Sequence, residues 1–146
     1  MTVSRYARNV CLICMTLSKG MNAVNSFEIH GKLPSLNEVI NANRTNRYAG
    51  AKLKRDIEIL ISAAISAAIK NGSLRPIEQS CIICIQWYEA TRRRDADNIQ
   101  SSQKFILDAL VKCGILKNDS RKYVTQIYHE IVDGNENMVI VNLESV

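Results

Sequence analysis

The sequence predicts an α+β domain in the order β-α-β-α-β-β, with one mixed sheet packed by two main helices. Three observations lead to this fold class. The chain has 146 residues, which is the size of a single domain. Two stretches repeat apolar residues at helical spacing, and four others have the apolar runs or the alternation of strands. Apolar residues (AVILMFWYC) make up 47% and charged residues 23% of the chain, which excludes disordered, collagen-like and low-complexity proteins.

The first strand is predicted at residues 26–33, where apolar and polar side chains alternate until Pro34 ends the pattern. The next segment, residues 35–50, is polar and rich in Asn and Arg, which is typical of a loop or a short helical turn. A loop, or at most a short helical turn, is therefore expected between the first strand and the first long helix.

The strongest helix is predicted at residues 51–70, and Asn71 with Gly72 supplies its C-terminal stop. Its uncharged stretch, residues 59–69, is shorter than the roughly 20 residues that span a bilayer, so no membrane partner is expected. A stripe of apolar positions at 3.6-residue spacing defines the face that packs against the sheet: Leu53, Ile57, Leu60, Ile61, Ala64 and Ala68.

The second half of the chain predicts the remaining four elements. Residues 80–90 form a nearly continuous apolar run, which is typical of a central strand. Residues 98–113 read as the second helix, ended by Gly114 in the left-handed C′ position. Residues 123–132 and 137–143 are two strands whose connection, Asp-Gly-Asn-Glu, predicts a hairpin.

The N-terminal part, residues 1–24, differs from the rest of the chain. It has a short apolar stretch after two arginines, which resembles a signal peptide only weakly because no cleavage site follows. The favoured interpretation is an extension outside the folded unit, with Met21 as an alternative natural start. The folded domain is then expected at residues 25–146.

The five cysteines are an odd number, and no convincing export signal accompanies them, which predicts reduced thiols in a cytoplasmic protein. Two C-x-x-C pairs, Cys11 with Cys14 and Cys81 with Cys84, leave a zinc site as one alternative. The second pair lies in a predicted strand, where residues three apart point to opposite faces. Small buried side chains are therefore the preferred interpretation.

Two carboxylates, Asp95 and Asp97, follow the central strand two residues apart. If the chain is extended there, both point the same way and repel each other unless a cation lies between them. Mg²⁺ or Mn²⁺ suits such hard oxygen ligands. The alternative is a turn followed by an N-cap, which Asp and Asn also favour.

Further charged residues fit the same chemistry. Lys104 lies on the second predicted helix with Asp108 as its i+4 partner, and Asp119 follows in the next loop. Asp119 reaches Asp97 only if the chain after the helix turns back beside it. Carboxylates with a metal and a lysine are what phosphodiester hydrolysis needs, because the metal activates water and the lysine stabilises developing negative charge.

Positive charge is concentrated in two places in a chain of net charge +5. Each residue alone reads as a solvated side chain, but beside a carboxylate site that receives a polyanion the groups predict contact with DNA phosphates. The first group is Arg44, Arg47, Lys52, Lys54 and Arg55, and the second is Arg92, Arg93 and Arg94.

The pattern of these residues resembles the RusA family of Holliday-junction resolvases, especially its phage-type relatives. The likeness covers residues 27–143. It rests on a P-S-x-N element followed by basic residues at 33–55, and on spaced elements downstream: Asp95-Ala96-Asp97-Asn98, Lys104, Asp108-Ala109-Leu110, Gly114 and Asp119.

This resemblance implies a Mg²⁺-dependent endonuclease of DNA recombination and repair, active as a homodimer that nicks paired strands of a four-way junction. Asp95, Asp97 and Asp119 would be the metal-binding catalytic acids, and Lys104 the catalytic lysine. Mn²⁺ is an alternative metal.

Two departures from the family pattern motivate an alternative function. Ser101 stands where the best-known pattern has the lysine, so that Lys104 aligns only with a three-residue insertion, which also aligns Asp119. Asn118 stands where the family often has a second acid. The alternative is a catalytically weakened or inactive protein that binds branched DNA.

Overall fold

A computed structural model describes residues 25–146 of the chain. The predicted N-terminal extension, its alternative start and the Cys11–Cys14 pair lie outside the described residues. The elements, in chain order, are β1 (Asn25–His30), α1 (Leu36–Thr45), α2 (Arg47–Asn71), β2 (Cys81–Glu89), α3 (Ala96–Gln100), α4 (Gln103–Lys112), β3 (Val124–Asp133) and β4 (Met138–Ser145).

The four strands form one mixed sheet in the order β1-β4-β2-β3. β4 is antiparallel to both β1 and β2, whereas β3 is parallel to β2. The predicted fold class, α+β with one mixed sheet, is confirmed. The central position predicted for residues 80–90 is also confirmed, because β2 pairs along both of its edges.

The hairpin predicted between β3 and β4 is wrong, because these strands lie on opposite sides of β2. Their connection crosses the end of β2, and two hydrogen bonds fix it there: Gly134 N donates to Glu89 O (2.9 Å), and Ala90 N donates to Asn137 Oδ1 (2.9 Å). A local turn pattern says how the chain reverses. It does not determine which strands form backbone hydrogen bonds with the two edges of β2, the most apolar strand.

The polar segment 35–50 is mostly helical, which corrects the prediction of a loop or short turn. Ser35 begins α1 with a capping box, since its Oγ accepts from Glu38 N (3.2 Å) and its N donates to Glu38 Oε2 (2.6 Å). One residue, Asn46, separates α1 from α2 and caps α2 by accepting from Tyr48 N (2.8 Å). The two helices thus form a helical hairpin.

The predicted helix at residues 98–113 is divided into α3 and α4. The two serines at the break bond to other parts of the backbone: Ser101 Oγ donates to Asn98 O (2.7 Å), and Ser102 Oγ donates to Pro34 O (2.8 Å). Serine hydroxyls of this kind compete with the helical bonding pattern. The predicted stop at Gly114 is confirmed by its φ of 80°.

The core lies between the helices and one face of the sheet. The predicted helix at residues 51–70 is confirmed within the longer α2, although Ile65 belongs to its buried face and Leu60 does not. Cys81 is buried in this core, whereas Cys84 packs with Tyr128 in a separate cluster, as expected for opposite strand faces. Burial raises the pKa of the Cys81 thiol to about 11, so this thiol is un-ionised at neutral pH.

No helix within residues 25–146 is both long enough and apolar enough to cross a membrane.

Candidate functional site

The carboxylate pair lies in the connection between β2 and α3. Asp95 is extended (φ −71°, ψ 152°) at the N-cap position, and Asp97 is the second residue of α3. Because Ala96 is already helical, the chain is extended at Asp95 only. The prediction that an extended chain points both side chains the same way therefore does not apply to the pair. The Cα atoms of Asp95 and Asp97 are still at most about 7 Å apart, since only two peptide units join them.

Both carboxylates are exposed, and within the described chain neither forms a hydrogen bond or an ion pair. Asp95 occupies an N-cap position without making a capping bond with its side chain. The alternative of a turn followed by an N-cap agrees with the position of Asp95 but not with its bonding, and Asp97 lies in the first turn of α3, where an acid complements the helix dipole. Two unpartnered carboxylates in water fit a magnesium ion that keeps most of its water ligands.

The segment of residues 33–37, which carries the P-S-x-N element, packs directly against the carboxylate-bearing turn. Four hydrogen bonds join the two parts of the chain. Arg94 Nη1 donates to Leu33 O (2.8 Å) and Ser102 Oγ to Pro34 O (2.8 Å), while Leu36 N donates to Ser101 Oγ (3.0 Å) and Asn37 Nδ2 to Asn98 Oδ1 (2.9 Å). The two most distinctive parts of the resemblance therefore form one structural unit.

Lys104 is the second residue of α4 and follows Asp97, the second residue of α3, by seven positions in the sequence. Its Nζ pairs with Asp108 Oδ2 at 3.5 Å, which confirms the predicted i, i+4 pair. Both side chains are more than half exposed, so this pair contributes little stability and leaves the ammonium able to exchange partners.

Asp119 lies at the opposite end of the sheet from Asp95 and Asp97. The connection after α4 runs beside the start of β2, where Cys81 N donates to Tyr123 O (2.8 Å). Since β3 is parallel to β2, Asp119 precedes the start of β3 at one end of the sheet, whereas Asp95 and Asp97 follow β2 at the other end, and β2 itself is about 26 Å long.

The three acids expected to bind one metal therefore do not converge within one copy of the described chain. No group of three or more metal-ligating side chains is found among residues 25–146. Asn118, which replaces a second acid, has a structural role, because its Oδ1 accepts from Ser120 N (2.7 Å) and shapes the turn that presents Asp119.

The first basic group lies at the tip of the α1–α2 hairpin and along the first half of α2. All five side chains are exposed, and none forms an ion pair with another residue of the described part. The first turn of α2 contains no acid and carries Arg47, which opposes the helix dipole and so does not serve helix stability. Tyr48 is 83% exposed beside these residues.

The second basic group has three different environments. Arg92 pairs with Asp133 (2.5 Å) on the surface, and Arg93 is exposed without a partner in the described chain. Arg94 is only 12% exposed and forms a buried ion pair with Glu89, itself 7% exposed. Sequence reasoning missed Glu89, although an acid at the end of an apolar strand near three arginines is a sign of internal pairing.

His129 in β3 is half-buried and bonds to Trp87 and to Gln103 of α4, while His30 is exposed. Trp87 Nε1 donates to His129 Nδ1 (3.0 Å), and His129 Nε2 lies 2.7 Å from Gln103 Oε1. Because Nδ1 accepts, the ring proton is on Nε2, and Gln103 accepts from it. This contact fixes the residue that precedes Lys104.

Comparison with known proteins gives no family. No protein-family model matches this sequence, and no curated protein has a matching sequence. What supports a function is therefore the geometry of the described residues, together with the resemblance of the two motifs that the structure joins.

Proposed function

We propose that this protein is a Mg²⁺-dependent, structure-specific endodeoxyribonuclease that resolves Holliday junctions by paired nicking. The observation that supports this most strongly is the unit formed by residues 33–37 and the Asp95–Asp97 turn. It presents two carboxylates without partners in the described chain, and the five exposed basic residues of the first group also form no ion pair there.

The side chains have separate roles in this proposal. Asp95 and Asp97 would hold the divalent cation, which when bound supplies an activated water and neutralises charge on the phosphate. Lys104 places an ammonium where it stabilises the oxyanion or the leaving group. Arg93 and the basic residues of the α1–α2 hairpin hold the DNA backbone on either side. With α1 about 15 Å long, the hairpin tip reaches phosphates well outside the cleaved one.

A homodimer is part of the proposal because Asp119 is too far from Asp95 in its own subunit. A second copy related by a two-fold axis can place its Asp119 beside the first copy's Asp95–Asp97 turn, and the reverse holds by symmetry. Such a dimer has two equivalent sites, as paired nicking of a two-fold symmetric junction requires.

The direct test is cleavage of a labelled four-way junction, with linear duplex as the control substrate. We expect wild-type protein to nick the junction with Mg²⁺ and not with a chelator. Asp97→Asn should lower the single-turnover rate by more than about 100-fold while junction binding persists, because a metal contributes several kcal/mol to the transition state.

The matched control for this substitution is Asp56→Asn, which makes the same chemical change at an exposed position of α2. It should cleave at the wild-type rate. Equal rates for Asp97→Asn and wild type would remove Asp97 from the mechanism.

A second candidate function is binding of branched DNA without catalysis. Two positions favour it, since Asn118 and Ser101 replace functional residues of the family pattern and both accept internal hydrogen bonds. Asn118 Oδ1 accepts from Ser120 N, and Ser101 Oγ accepts from Leu36 N. Tight junction binding without cleavage at any Mg²⁺ or Mn²⁺ concentration would establish this function instead.

A further inference from the structure

Arg94 differs from its two neighbours in the arginine run by being buried. Its side chain is 12% exposed, whereas that of Arg92 is 85% exposed. Its guanidinium uses both arms internally: Nη2 binds the carboxylate of Glu89, and Nη1 donates to Leu33 O (2.8 Å). A side chain bonded and buried in this way has little surface left for a DNA phosphate.

The position of Arg94 in the chain gives this ion pair a geometric consequence. Glu89 is the last residue of β2, Leu33 opens the segment of residues 33–37, and Arg94 directly precedes Asp95. One guanidinium thus connects the sheet and the 33–37 segment to the residue before the first carboxylate. Lysine, with a single ammonium, does not reproduce the planar fork that makes both contacts.

Stability alone does not explain a buried pair at this place. Removing two charges from water is costly, and well-packed apolar residues are often as stabilising as a buried ion pair. Arg94 Nε is also buried with no hydrogen-bond partner in the described residues, which adds to the cost. What an apolar pair does not supply is a directional link to a backbone carbonyl and a carboxylate.

We propose that the Arg94–Glu89 pair is a positioning unit, which holds Asp95 and Asp97 in the arrangement that binds the divalent cation, and that Arg94 does not contact DNA. This inference rests on the proposed function, since it assigns a partner to the same carboxylates. Outer residues that orient metal ligands typically contribute 10–100-fold to metal affinity.

The test compares adjacent arginines in the full-length protein, using Mn²⁺ binding followed by EPR and junction binding followed by fluorescence anisotropy without metal. Arg94→Ala should weaken Mn²⁺ binding by about 10–100-fold and leave junction binding unchanged. Arg93→Ala should do the reverse. Weaker junction binding by Arg94→Ala with wild-type Mn²⁺ affinity would overturn the inference.

A double variant separates positioning from folding and carries the test if Arg94→Ala does not fold. Glu89→Leu with Arg94→Met replaces the buried pair by apolar side chains, so its melting temperature should return toward wild type. Mn²⁺ affinity should stay low, because the link to Leu33 is still absent. Recovery of Mn²⁺ affinity together with melting temperature would show a purely structural pair and would overturn the inference.

The wild-type measurement distinguishes this inference from the proposed function. If wild-type protein binds no Mn²⁺ and cleaves no junction, the proposed function fails and the positioning role fails with it. If wild type does both and Arg94→Ala matches it in Mn²⁺ affinity, only the positioning role fails.

Discussion

His129 shows how a single side chain in this protein is fixed by its neighbours. Its ring lies beside that of Trp87, with centroids 6.0 Å apart and planes 16° from parallel. It also bonds to Trp87 and Gln103 through its two nitrogens, an arrangement that requires the neutral ring. Burial lowers the pKa of His129 below its ordinary value of 6.5, in agreement with this hydrogen bonding.

The lowered pKa makes stability dependent on pH in a defined direction. In the unfolded chain His129 binds a proton near pH 6.5, whereas in the folded protein it binds one only at lower pH. The unfolded state therefore carries more protons below pH 6.5, so the stabilisation present above that pH is lost as the pH falls.

Urea unfolding followed by the fluorescence of Trp87, the single tryptophan, measures this effect. The free energy of unfolding should be constant from pH 8 to 7 and should fall from pH 6.5 to 5. His129→Gln should have a shallower acid slope than wild type. Equal slopes for the two proteins would show that other groups cause the acid sensitivity.

At the residue scale, the sequence predicts contacts between side chains that are close together in the chain. The Lys104–Asp108 pair follows from i, i+4 spacing and is confirmed. The burial of Arg94 could not be predicted in the same way, because Glu89 and Leu33 become its partners only when three separate segments meet. For the same reason, treating Arg92–Arg94 as one DNA-binding group was too simple.

At the scale of elements, the α1–α2 hairpin depends on a close approach between Gly50 and Asn43. A Cβ atom placed at Gly50 would lie 1.6 Å from Asn43 Oδ1 and 2.9 Å from Asn43 Cα. The side chain of Asn43 can rotate away, but its backbone cannot move without displacing α1. Gly50 therefore sets the spacing of the helices that carry the first basic group.

We expect Gly50→Ala to lower the free energy of unfolding by about 1–3 kcal/mol, because overpacking outweighs the roughly 1 kcal/mol by which Ala favours a helix. Urea denaturation measures it. The double variant Asn43→Ala/Gly50→Ala should recover part of the loss, since it removes the nearest atom and keeps the backbone contact. A Gly50→Ala protein at least as stable as wild type would contradict the tight contact.

Predictions at the element scale succeeded where apolar periodicity was strong and failed where capping or long-range hydrogen bonds define the element. α2 and β2 were predicted closely for that reason. α1 was missed because its helix depends on the Ser35–Glu38 capping box rather than on an apolar stripe. The division into α3 and α4 was missed because Ser102 bonds to Pro34 O, 68 residues away in sequence.

At the scale of the whole molecule, the unpaired basic residues predict a strong salt dependence of DNA binding. Each phosphate contact releases counterions, so removing one contact lowers the slope of log K against log salt by about 0.9. We expect the double variant Arg44→Ala/Arg47→Ala to lower this slope by about 2, measured by anisotropy with a labelled junction.

The matched control for the salt dependence is Lys70→Ala at the other end of α2, about 35 Å from Arg47. It removes an exposed positive charge without touching the hairpin tip, so its slope should equal that of wild type. If Lys70→Ala changes the slope as much as a hairpin substitution does, DNA contact is not localised at the hairpin tip.

The fold class was predictable because it depends on the number and type of elements, whereas the convergence of the three acids depends on strand direction. β3 runs parallel rather than antiparallel to β2. Asp119, which precedes β3, therefore lies at the other end of the sheet from Asp95 and Asp97. The sequence contains all the candidate site residues. Their arrangement in space depends on which strands pair and in which direction, and no local sequence pattern determines this.

The measurement that tests the account most directly is cleavage by a mixture of two inactive variants, Asp97→Asn and Asp119→Asn, allowed to exchange subunits. If one subunit's Asp97 acts with its partner's Asp119, each mixed dimer has one intact site, so a 1:1 mixture should recover about a quarter of the wild-type sites and should make single nicks. A mixture as inactive as either variant alone would contradict the shared site.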